Sequence, residues 1–309
     1  DCENEASLRA LLREVRELCR QGRIFDAMEA LKSLEQEVAA RAARPGTATV
    51  KAELLRDTAV AELRRTHGRM HSVLSTMGPE ALPTGENDKR WERTTIKDPQ
   101  IDPAFLADIR IRFAVGGERN PDGPSAQLII CGVLSRFPLS VERMVSLYRE
   151  TDLYRKEWLS DCECCEGTVG GEEKSYSAMS HIVNASPILP MRLDILTLRD
   201  FAVCPENSPV GERGPGVLVV DASPPSDKSS CSGWDFPAQA HRSTRLSNVC
   251  LVMYFTPSPG YPNYCDAFVI GKVGAPVPQW LLPLSLLKRF LANHYISVFR
   301  SAKRHIVDD

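Results

Sequence analysis

Long apolar stretches are missing from this sequence of 309 residues. It contains no window of about 18 consecutive apolar residues, whereas a bilayer-spanning helix needs roughly 20, so we expect no transmembrane helix. A strong net charge is missing as well, because 38 Lys and Arg residues nearly balance 40 Asp and Glu residues and leave a net charge of -2. This balance provides no overall field that would attract nucleic acid or an acidic membrane.

The motifs of common enzyme classes are also absent. The sequence has no G-x-S-x-G nucleophile elbow, no H-E-x-x-H metalloprotease motif, no phosphate-binding loop and no G-x-G-x-x-G motif. A catalytic triad assembled across the fold would leave no such local signature. The sequence nevertheless gives no indication of catalysis, and we expect a protein without enzymatic activity and without a cofactor.

One cluster of potential metal ligands occurs at residues 161–165, where the sequence is Asp-Cys-Glu-Cys-Cys. On a strand, Cys162 and Cys164 point to one face and Cys165 points to the other. Two thiolates would then converge, whereas zinc usually takes four ligands, so we predict no metal site. The ten cysteines are spread along the chain, several in apolar segments, which indicates free thiols in a reducing, cytoplasmic environment.

The first 77 residues are predicted to be helical, because apolar residues recur in them at helical spacing. Gly22 separates two helices that form a hairpin, and Pro45 and Gly46 separate this hairpin from a third helix over about residues 50–77. We expect this helical appendage to pack on itself or on the next domain. It is also a candidate surface for a protein partner.

Residues 78–89 are rich in Gly, Pro and charge and are predicted to be a linker to a second domain, residues 90–309. Strands predicted at 110–115 and 126–135 are followed by a helix with Ser140 as its N-cap. Further strands are predicted without intervening helices at about 160–168, 172–184, 192–204, 215–223, 240–257 and 263–273. Such a succession forms an antiparallel sheet, here of about eight strands, and the fold class is α+β.

The last predicted element is a long helix that follows three prolines, within residues 274–303. Its first turns are apolar almost all round and include Trp280 and Leu281. Its body carries an apolar stripe at helical spacing, formed by Leu284, Leu287, Leu291 and Tyr295. This helix either packs directly on the sheet or closes one end of an apolar chamber.

The order of these elements and several stretches resemble the START lipid-transfer domain over about residues 86–306. The similar stretches are FPLSVERMVSLYRETDLYRKEWL, PILPMRLDILTL, GVLVVDAS and GKVGAPVPQWLLPLSLLKRF. Trp158 matches the tryptophan that ends the family's helix pair. The family's pattern before the last helix is matched by Gly274, Val277, Pro278 and Trp280. The family's Arg-Asp-aromatic strand start differs here, because Arg192 and Asp194 are separated and no aromatic residue follows.

The resemblance implies the helix-grip fold, in which a curved antiparallel sheet surrounds the long C-terminal helix and a lipid-sized cavity lies between them. It also implies a gate formed by the loop at residues 184–191 and the start of the last helix. The residues that form this gate and contact the membrane would be Pro187, Ile188, Leu189, Met191, Trp280 and Leu281. The composition of the loop agrees, because its prolines make it irregular while its other residues are unusually apolar for a surface loop.

The resemblance further implies a cytoplasmic, peripheral protein that binds one phospholipid or sterol and transfers it between membranes. Burial of apolar groups would provide the affinity, at about 0.8 kcal/mol per CH2 group. From the strands we expect Met179, Ile130 and Val252 to join the helix stripe in the lipid-binding wall, and Arg192 or Asp194 to orient the polar group of the lipid.

Two other functions remain open from the sequence. One is a protein-interaction or lipid-sensing module that does not transfer lipid and whose N-terminal helices recruit a partner. The other is an enzyme of the wider helix-grip superfamily, which would cluster titratable polar residues inside the cavity.

Overall fold

A computed structural model describes residues 2–77, 90–96, 106–120, 123–149, 162–169, 176–185, 192–206, 210, 213–224, 229–231, 234–246, 249–274 and 285. Within these ranges the chain forms five helices and twelve strands. The helices are α1 (Cys2–Arg20), α2 (Ile24–Ala40), α3 (Thr47–Arg56), α4 (Thr58–Thr76) and α5 (Val141–Arg149). The division of the chain into an appendage, a linker and a second domain stays a prediction.

The prediction of one third helix over about residues 50–77 is wrong, because α3 and α4 are separate helices on either side of Asp57. The backbone of Asp57 is extended, and its carboxylate accepts hydrogen bonds from the N–H groups of Ala59 (2.9 Å) and Val60 (3.2 Å). These bonds satisfy donors that the first turn of a helix leaves without intrahelical partners. Asp57 therefore begins a new helix inside a continuous apolar stripe.

Most of the second half of the described chain is strand. The strands are β1 (Glu92–Ile96), β2 (Leu106–Asn120), β3 (Gly123–Phe137), β4 (Cys162–Val169), β5 (Ser177–Ala185), β6 (Arg192–Cys204), β7 (Gly216–Ala222), β8 (Ser230–Cys231), β9 (Trp234–Asp235), β10 (Ser243–Arg245), β11 (Cys250–Ser258) and β12 (Tyr261–Gly274). The strand predicted at 192–204 matches β6. The strand predicted at 240–257 is two strands, β10 and β11.

Ten of these strands form one sheet in the order β1-β2-β3-β12-β11-β7-β6-β5-β4. Neighbouring strands in this order are antiparallel. Strand β10 is the tenth strand and pairs in parallel with residues 192–194 at the beginning of β6, whereas β7 pairs with residues 198–204 of β6. The short strands β8 and β9 pair with each other. The predicted α+β class with a large antiparallel sheet is confirmed.

The register assigns each side chain to one of two sheet faces, because side chains alternate along a strand and paired residues share a face. The bundle face is the one covered by α1–α4, and the α5 face is the one on which α5 packs. On β6, Ala202 and Cys204 belong to the core under the bundle, while Phe201 belongs to the core under α5. Even-numbered residues of β6 therefore lie on the bundle face and odd-numbered residues on the α5 face.

The bundle and the sheet share one continuous apolar core. Helix residues such as Leu12, Leu31 and Leu63 are fully buried. The sheet contributes Ile129, Cys131, Ala202, Cys204, Leu218, Val220, Val252, Tyr254, Phe268 and Ile270. Because both parts fill the same core, the chain's own helices close the bundle face over these core residues.

A buried polar contact fixes the orientation of the bundle on the sheet. The Arg69 guanidinium on α4 donates two hydrogen bonds to the Asp200 carboxylate on β6, at 2.9 Å from Nε and 2.6 Å from Nη2. Ser177 accepts a third hydrogen bond from Arg69 Nη2 (2.9 Å) and donates its own proton to Asp200. Bidentate pairing of this kind restricts geometry more than apolar contact does.

On the opposite face, α5 begins where the sequence predicts, since Ser140 Oγ accepts a hydrogen bond from the N–H of Arg143 (3.3 Å). Tyr148, near the end of α5, packs against Phe255 of β11 with ring centroids 5.5 Å apart. The remaining core on this side is apolar and includes Ile109, Leu134, Phe201, Val219, Met253 and Val269.

The strand directions bring two connections to the same end of the sheet. Four antiparallel pairings separate β5 from β12, so these two strands have the same direction. The chain that follows Ala185 and the chain that follows Gly274 therefore leave the sheet at one end. The predicted C-terminal helix lies outside the described residues, apart from Ser285, which is helical.

Candidate functional site

A buried ion pair lies on the α5 face, within surroundings that are otherwise mostly apolar. Arg199 of β6 is 1% exposed, and its Nε and Nη2 each donate a 2.6 Å hydrogen bond to the two carboxylate oxygens of Asp221 on β7. Arg199 Nη1 donates to the Tyr148 carbonyl (2.6 Å), and the guanidinium lies 5.0 Å from the centre of the Tyr148 ring. The pair is thus neutral overall and connects β6, β7 and α5.

Two hydroxyl side chains extend this polar set across the sheet. Ser180 of β5 pairs in register with Thr197 of β6, which lies two residues before Arg199 and on the same face. Ser180 is 1% exposed, and its Oγ has no hydrogen-bond partner among the described residues. A buried hydroxyl without a partner costs free energy, so this position favours a ligand group that can form the missing hydrogen bond.

The sequence prediction did not include Arg199, Asp221 or Ser180, although a signal was present. The segment LTLRDFAV places Arg199 and Asp200 side by side in an apolar strand, and adjacent strand residues point to opposite faces. Each buried charge then needs its own partner. Asp221 within GVLVVDA was the available acid on a neighbouring strand.

The two polar residues that the sequence proposed for lipid contact lie on the other face. Arg192 and Asp194 are even-numbered residues of β6, and both hold the segment around β10 in place. Arg192 Nη1 donates to the carbonyl of His241 (3.0 Å). The buried Asp194 carboxylate accepts hydrogen bonds from Arg245 Nε (3.0 Å) and the Ala240 N–H (2.7 Å). The alternation of β6 turns both side chains away from the α5 face, and their predicted role in orienting a ligand stays a prediction.

Met179 is likewise on the bundle side of the sheet. It pairs in register with Leu198 and packs with Leu196, and Phe236 covers this small cluster. Val252 also lies on the bundle face, whereas Ile130 packs with the core of the α5 face. Met179 is therefore not placed to line a chamber on the α5 face, and of the three strand residues expected in the wall only Ile130 is.

The contacts of Asp194 predict how the stability of the fold depends on pH, and this prediction can be tested without a ligand. Burial acts to raise the pKa of Asp194, but hydrogen bonds from Arg245 and the Ala240 N–H, with the charges of Arg245 and His181, shift the pKa below its ordinary value. A carboxyl whose pKa is lower in the folded state stabilises the fold above its unfolded pKa of about 4. This stabilisation is lost as pH falls through the folded pKa.

Asp194→Asn is therefore expected to lower the free energy of unfolding by roughly 3 kcal/mol at pH 7, and by less at an acidic pH below the lowered folded pKa of Asp194, where the carboxylate is protonated. Urea unfolding at the two pH values measures the difference. Asp235→Asn, at an exposed position of β9, is the matched control and should have little effect at either pH. An equal loss at both pH values would contradict the assignment.

The other predicted site residues lie outside the described residues. They are the helix stripe Leu284, Leu287, Leu291 and Tyr295, and the gate residues Pro187, Ile188, Leu189, Met191, Trp280 and Leu281. Their roles stay predictions. The strand ends that lead into both gate segments are described, and they lie at the same end of the sheet.

A groove of about 1180 Å³ lies elsewhere, on the bundle, between α1, the junction of α3 and α4, and Tyr176. Its walls are charged, and Arg16 forms ion pairs there with Glu53 (3.0 Å) and Asp57 (2.7 Å). Ligand pockets for lipid-like molecules are mostly apolar. Seven of the thirteen residues that line this groove are charged, so its residue composition differs from that of such pockets.

In the ranges given above, three or more His, Cys, Asp or Glu side chains do not come together in a way that could hold a metal ion. No helix among the described residues is both long enough and apolar enough to cross a membrane.

Comparisons with known proteins identify solved structures that are similar to this chain. No protein-family model and no curated protein sequence matches the chain. Human StAR-related lipid transfer protein 5 is similar in structure, with a TM-score of 0.51 at 11% identity over 78% of this chain and 98% of that one. Human STARD10 has a TM-score of 0.47 at 14% identity, covering 75% of this chain and 78% of that one.

A STAR-related lipid transfer protein from Xanthomonas axonopodis has a TM-score of 0.43 at 14% identity, covering 70% of this chain and 98% of that one. At these identities the similarity concerns the fold, and the comparison with StAR-related lipid transfer protein 5 carries it. The large antiparallel sheet, its strand order and the helices on it agree with this comparison. The chain therefore has the α+β helix-grip fold of the StAR-related lipid-transfer domains.

Proposed function

We propose that the chain binds a single lipid, a sterol or a phospholipid, in an internal apolar cavity and transfers it between membranes without catalysing a reaction. The fold supports this proposal, because human StAR-related lipid transfer protein 5 shares it. Apolar burial would supply the affinity, at about 0.8 kcal/mol for each CH2 group that leaves water.

The observation that carries the proposal is the polar set on the α5 face, in which Ser180 Oγ lacks a partner beside the neutral pair of Arg199 and Asp221. A few fixed polar groups in an apolar wall are typical of sites that orient one end of a ligand. The bundle face cannot serve this purpose, since α1–α4 fill it. The lipid is therefore proposed to lie against the α5 face.

The same polar set favours a particular ligand group. The Asp221 carboxylate already neutralises Arg199, and the third guanidinium nitrogen is bonded to the Tyr148 carbonyl. A buried phosphate placed there would add an unbalanced charge, which is costly in an apolar site. We infer that a neutral hydroxyl or carbonyl contacts Ser180, such as the hydroxyl of a sterol or the ester of an acyl chain.

The gate is proposed at the end of the sheet where β5 and β12 end. The loop that contains Ile188 and Leu189, together with the start of the last helix at Trp280 and Leu281, would open there and contact the membrane. Apolar loop residues that insert into a bilayer interface can anchor a protein only transiently, which suits a cytoplasmic protein that binds membranes peripherally. Opening of such a lid would limit the transfer rate.

Native mass spectrometry of the purified protein, combined with transfer of a fluorescent lipid between vesicles, tests this function. We expect one lipid per chain and measurable transfer. Ile188→Asp should slow transfer about tenfold, because a charged side chain inserts poorly into the bilayer, while one lipid stays bound. Leu55→Asp makes the same change at a position that is 68% exposed on α3 and should transfer at the wild-type rate.

The outcomes separate the candidate functions. Bound lipid without transfer would favour a lipid-sensing module in place of a carrier. The proposal is contradicted if the protein shows no bound lipid and no transfer.

A further inference from the structure

A cluster of arginines lies on the bundle face near the β1 edge of the sheet, away from the polar set on the α5 face. Arg93 of β1 and Arg110 of β2 pair in register, and Asp108 lies two residues before Arg110 on the same face. Arg93 Nε donates to Asp108 Oδ1 at 2.7 Å, and Arg110 Nη2 lies 3.7 Å from Asp108 Oδ2. The neighbouring Val133 is 40% exposed, so solvent reaches this area.

Arg213 approaches the same area from the connection before β7. Its guanidinium carbon lies 3.8 Å from the centre of the Phe268 ring. Phe268 pairs in register with Val133, and Val133 pairs with Asp108, so the three strands place Arg213 beside the first two arginines.

The buried Cys131 thiol reports the same proximity. Burial raises its pKa to about 11, while the positive charges of Arg110 and Arg213 both act to lower it. Cys131 pairs in register with Arg110. Both guanidiniums therefore lie near the Cys131 thiol.

Arg213 is unusual because it is half-buried and forms no ion pair with an acidic side chain among the described residues. Its buried Nε has no hydrogen-bond partner in the part of the chain that the structure describes. Burial lowers the pKa of Arg213, while Cys131 and Tyr254 act in the opposite sense. A cation removed from water without a counter-charge is costly. The stacking on Phe268 offsets part of this cost, but it leaves the buried Nε–H donor without an acceptor among the described residues.

We propose that Arg213 and Arg110 bind an oxyanion of the phosphate class over the apolar floor formed by Val133 and Phe268. Guanidinium groups are suited to this ligand, because their N–H donors match the oxygen spacing of phosphate. The anion would provide both the counter-charge and the acceptor that Arg213 lacks. The phosphate could be a soluble compound or a lipid headgroup, and the site is independent of the lipid proposed for the α5 face.

Binding of three probes tests the proposal: inorganic phosphate, soluble inositol 1,4,5-trisphosphate, and vesicles of phosphatidylcholine with or without phosphatidylinositol 4,5-bisphosphate. We expect inositol trisphosphate to bind in calorimetry and more weakly as salt increases. Arg213→Gln should reduce the affinity about tenfold or more, and Arg110→Gln should also reduce it, since each removes charge-assisted hydrogen bonds. Arg13→Gln, at an exposed arginine of α1 that forms no ion pair with the described residues, should bind as wild type does.

The vesicle arm identifies the source of the phosphate. If only inositol 1,4,5-trisphosphate binds, the site is supported and its ligand is a soluble phosphate compound. If vesicles with phosphatidylinositol 4,5-bisphosphate bind as well, the site is supported and its ligand is a lipid headgroup. Circular dichroism of each variant verifies that it is folded. The proposal is overturned if no probe binds the wild-type protein, or if folded Arg213→Gln and Arg110→Gln bind as tightly as Arg13→Gln.

Discussion

Arg199→Met is expected to lower the free energy of unfolding by about 3–5 kcal/mol, because it leaves the Asp221 carboxylate buried without its partner. Both side chains are almost fully buried, and Arg199 forms three hydrogen bonds that join β6, β7 and α5. A loss of this size is a large part of the stability of an ordinary domain, which is about 5–15 kcal/mol. Urea unfolding followed by circular dichroism measures it.

The double variant Arg199→Met/Asp221→Leu is the matched control. Replacing both members of a buried ion pair with apolar residues of similar volume is often neutral or stabilising, so the double variant should recover most of the lost stability. It should nevertheless bind lipid with less preference for a hydroxyl or carbonyl group, since only Ser180 and Thr197 of the polar set remain. If Arg199→Met is as stable as the wild type, the interpretation of Arg199 and Asp221 as a buried ion pair is contradicted.

Removal of residues 1–77 is expected to prevent the remaining chain from folding as a soluble monomer. The deletion would expose the apolar sheet residues of the bundle face, among them Leu218, Val220, Tyr254 and Phe268. Each fully exposed side chain of this size forfeits about 1.5–3 kcal/mol, and soluble monomers rarely expose apolar patches larger than a few hundred Å². Asp200 would also lose Arg69, its buried partner.

Size-exclusion chromatography and binding of a hydrophobic dye measure the outcome for the fragment 78–309. Co-expression with the separate fragment 1–77 is the control and should restore a soluble complex, because the missing core is supplied again. The complete chain should unfold in one transition. A fragment 78–309 that is monomeric and unfolds cooperatively on its own would show that the helices are a dispensable appendage.

The elements of this fold could largely be predicted from the sequence, because hydrophobic periodicity and turn residues determine them locally. The strand 192–204 matches β6, and Ser140 caps α5 as expected. The break at Asp57 was not predicted, since the apolar stripe continues through it. The signal was the aspartate itself, which commonly precedes a helix.

The candidate site was harder to predict, because a shift of one residue in strand register exchanges the two faces. Met179 and Val252 were expected in the lipid-binding wall and lie on the bundle face, while Ile130 lies on the α5 face. The polar residues follow the same rule. Asp194 and Arg199 lie on one strand, five residues apart, and so point to opposite faces. Long-range pairing decides which of them can meet a ligand, and a single sequence does not contain that information.

The helices of residues 2–77 also limit where a lipid can lie. They fill one face of the sheet with a core that extends from β3 to β6. A lipid that contacts the sheet is therefore expected on the α5 face alone. The account depends on this assignment, because the ligand group, the gate and the role of Arg199 all follow from it.

Photolabelling with a diazirine-bearing lipid, followed by mass spectrometry at residue resolution, tests the assignment most directly. Neighbouring residues on opposite faces provide internal controls. We expect labels on Phe201, Val219 and Met253, which belong to the α5 face, and none on Ala202, Val220 and Val252, which lie beneath the bundle. Labels confined to the second set, or no stoichiometric labelling of folded protein, would contradict the account.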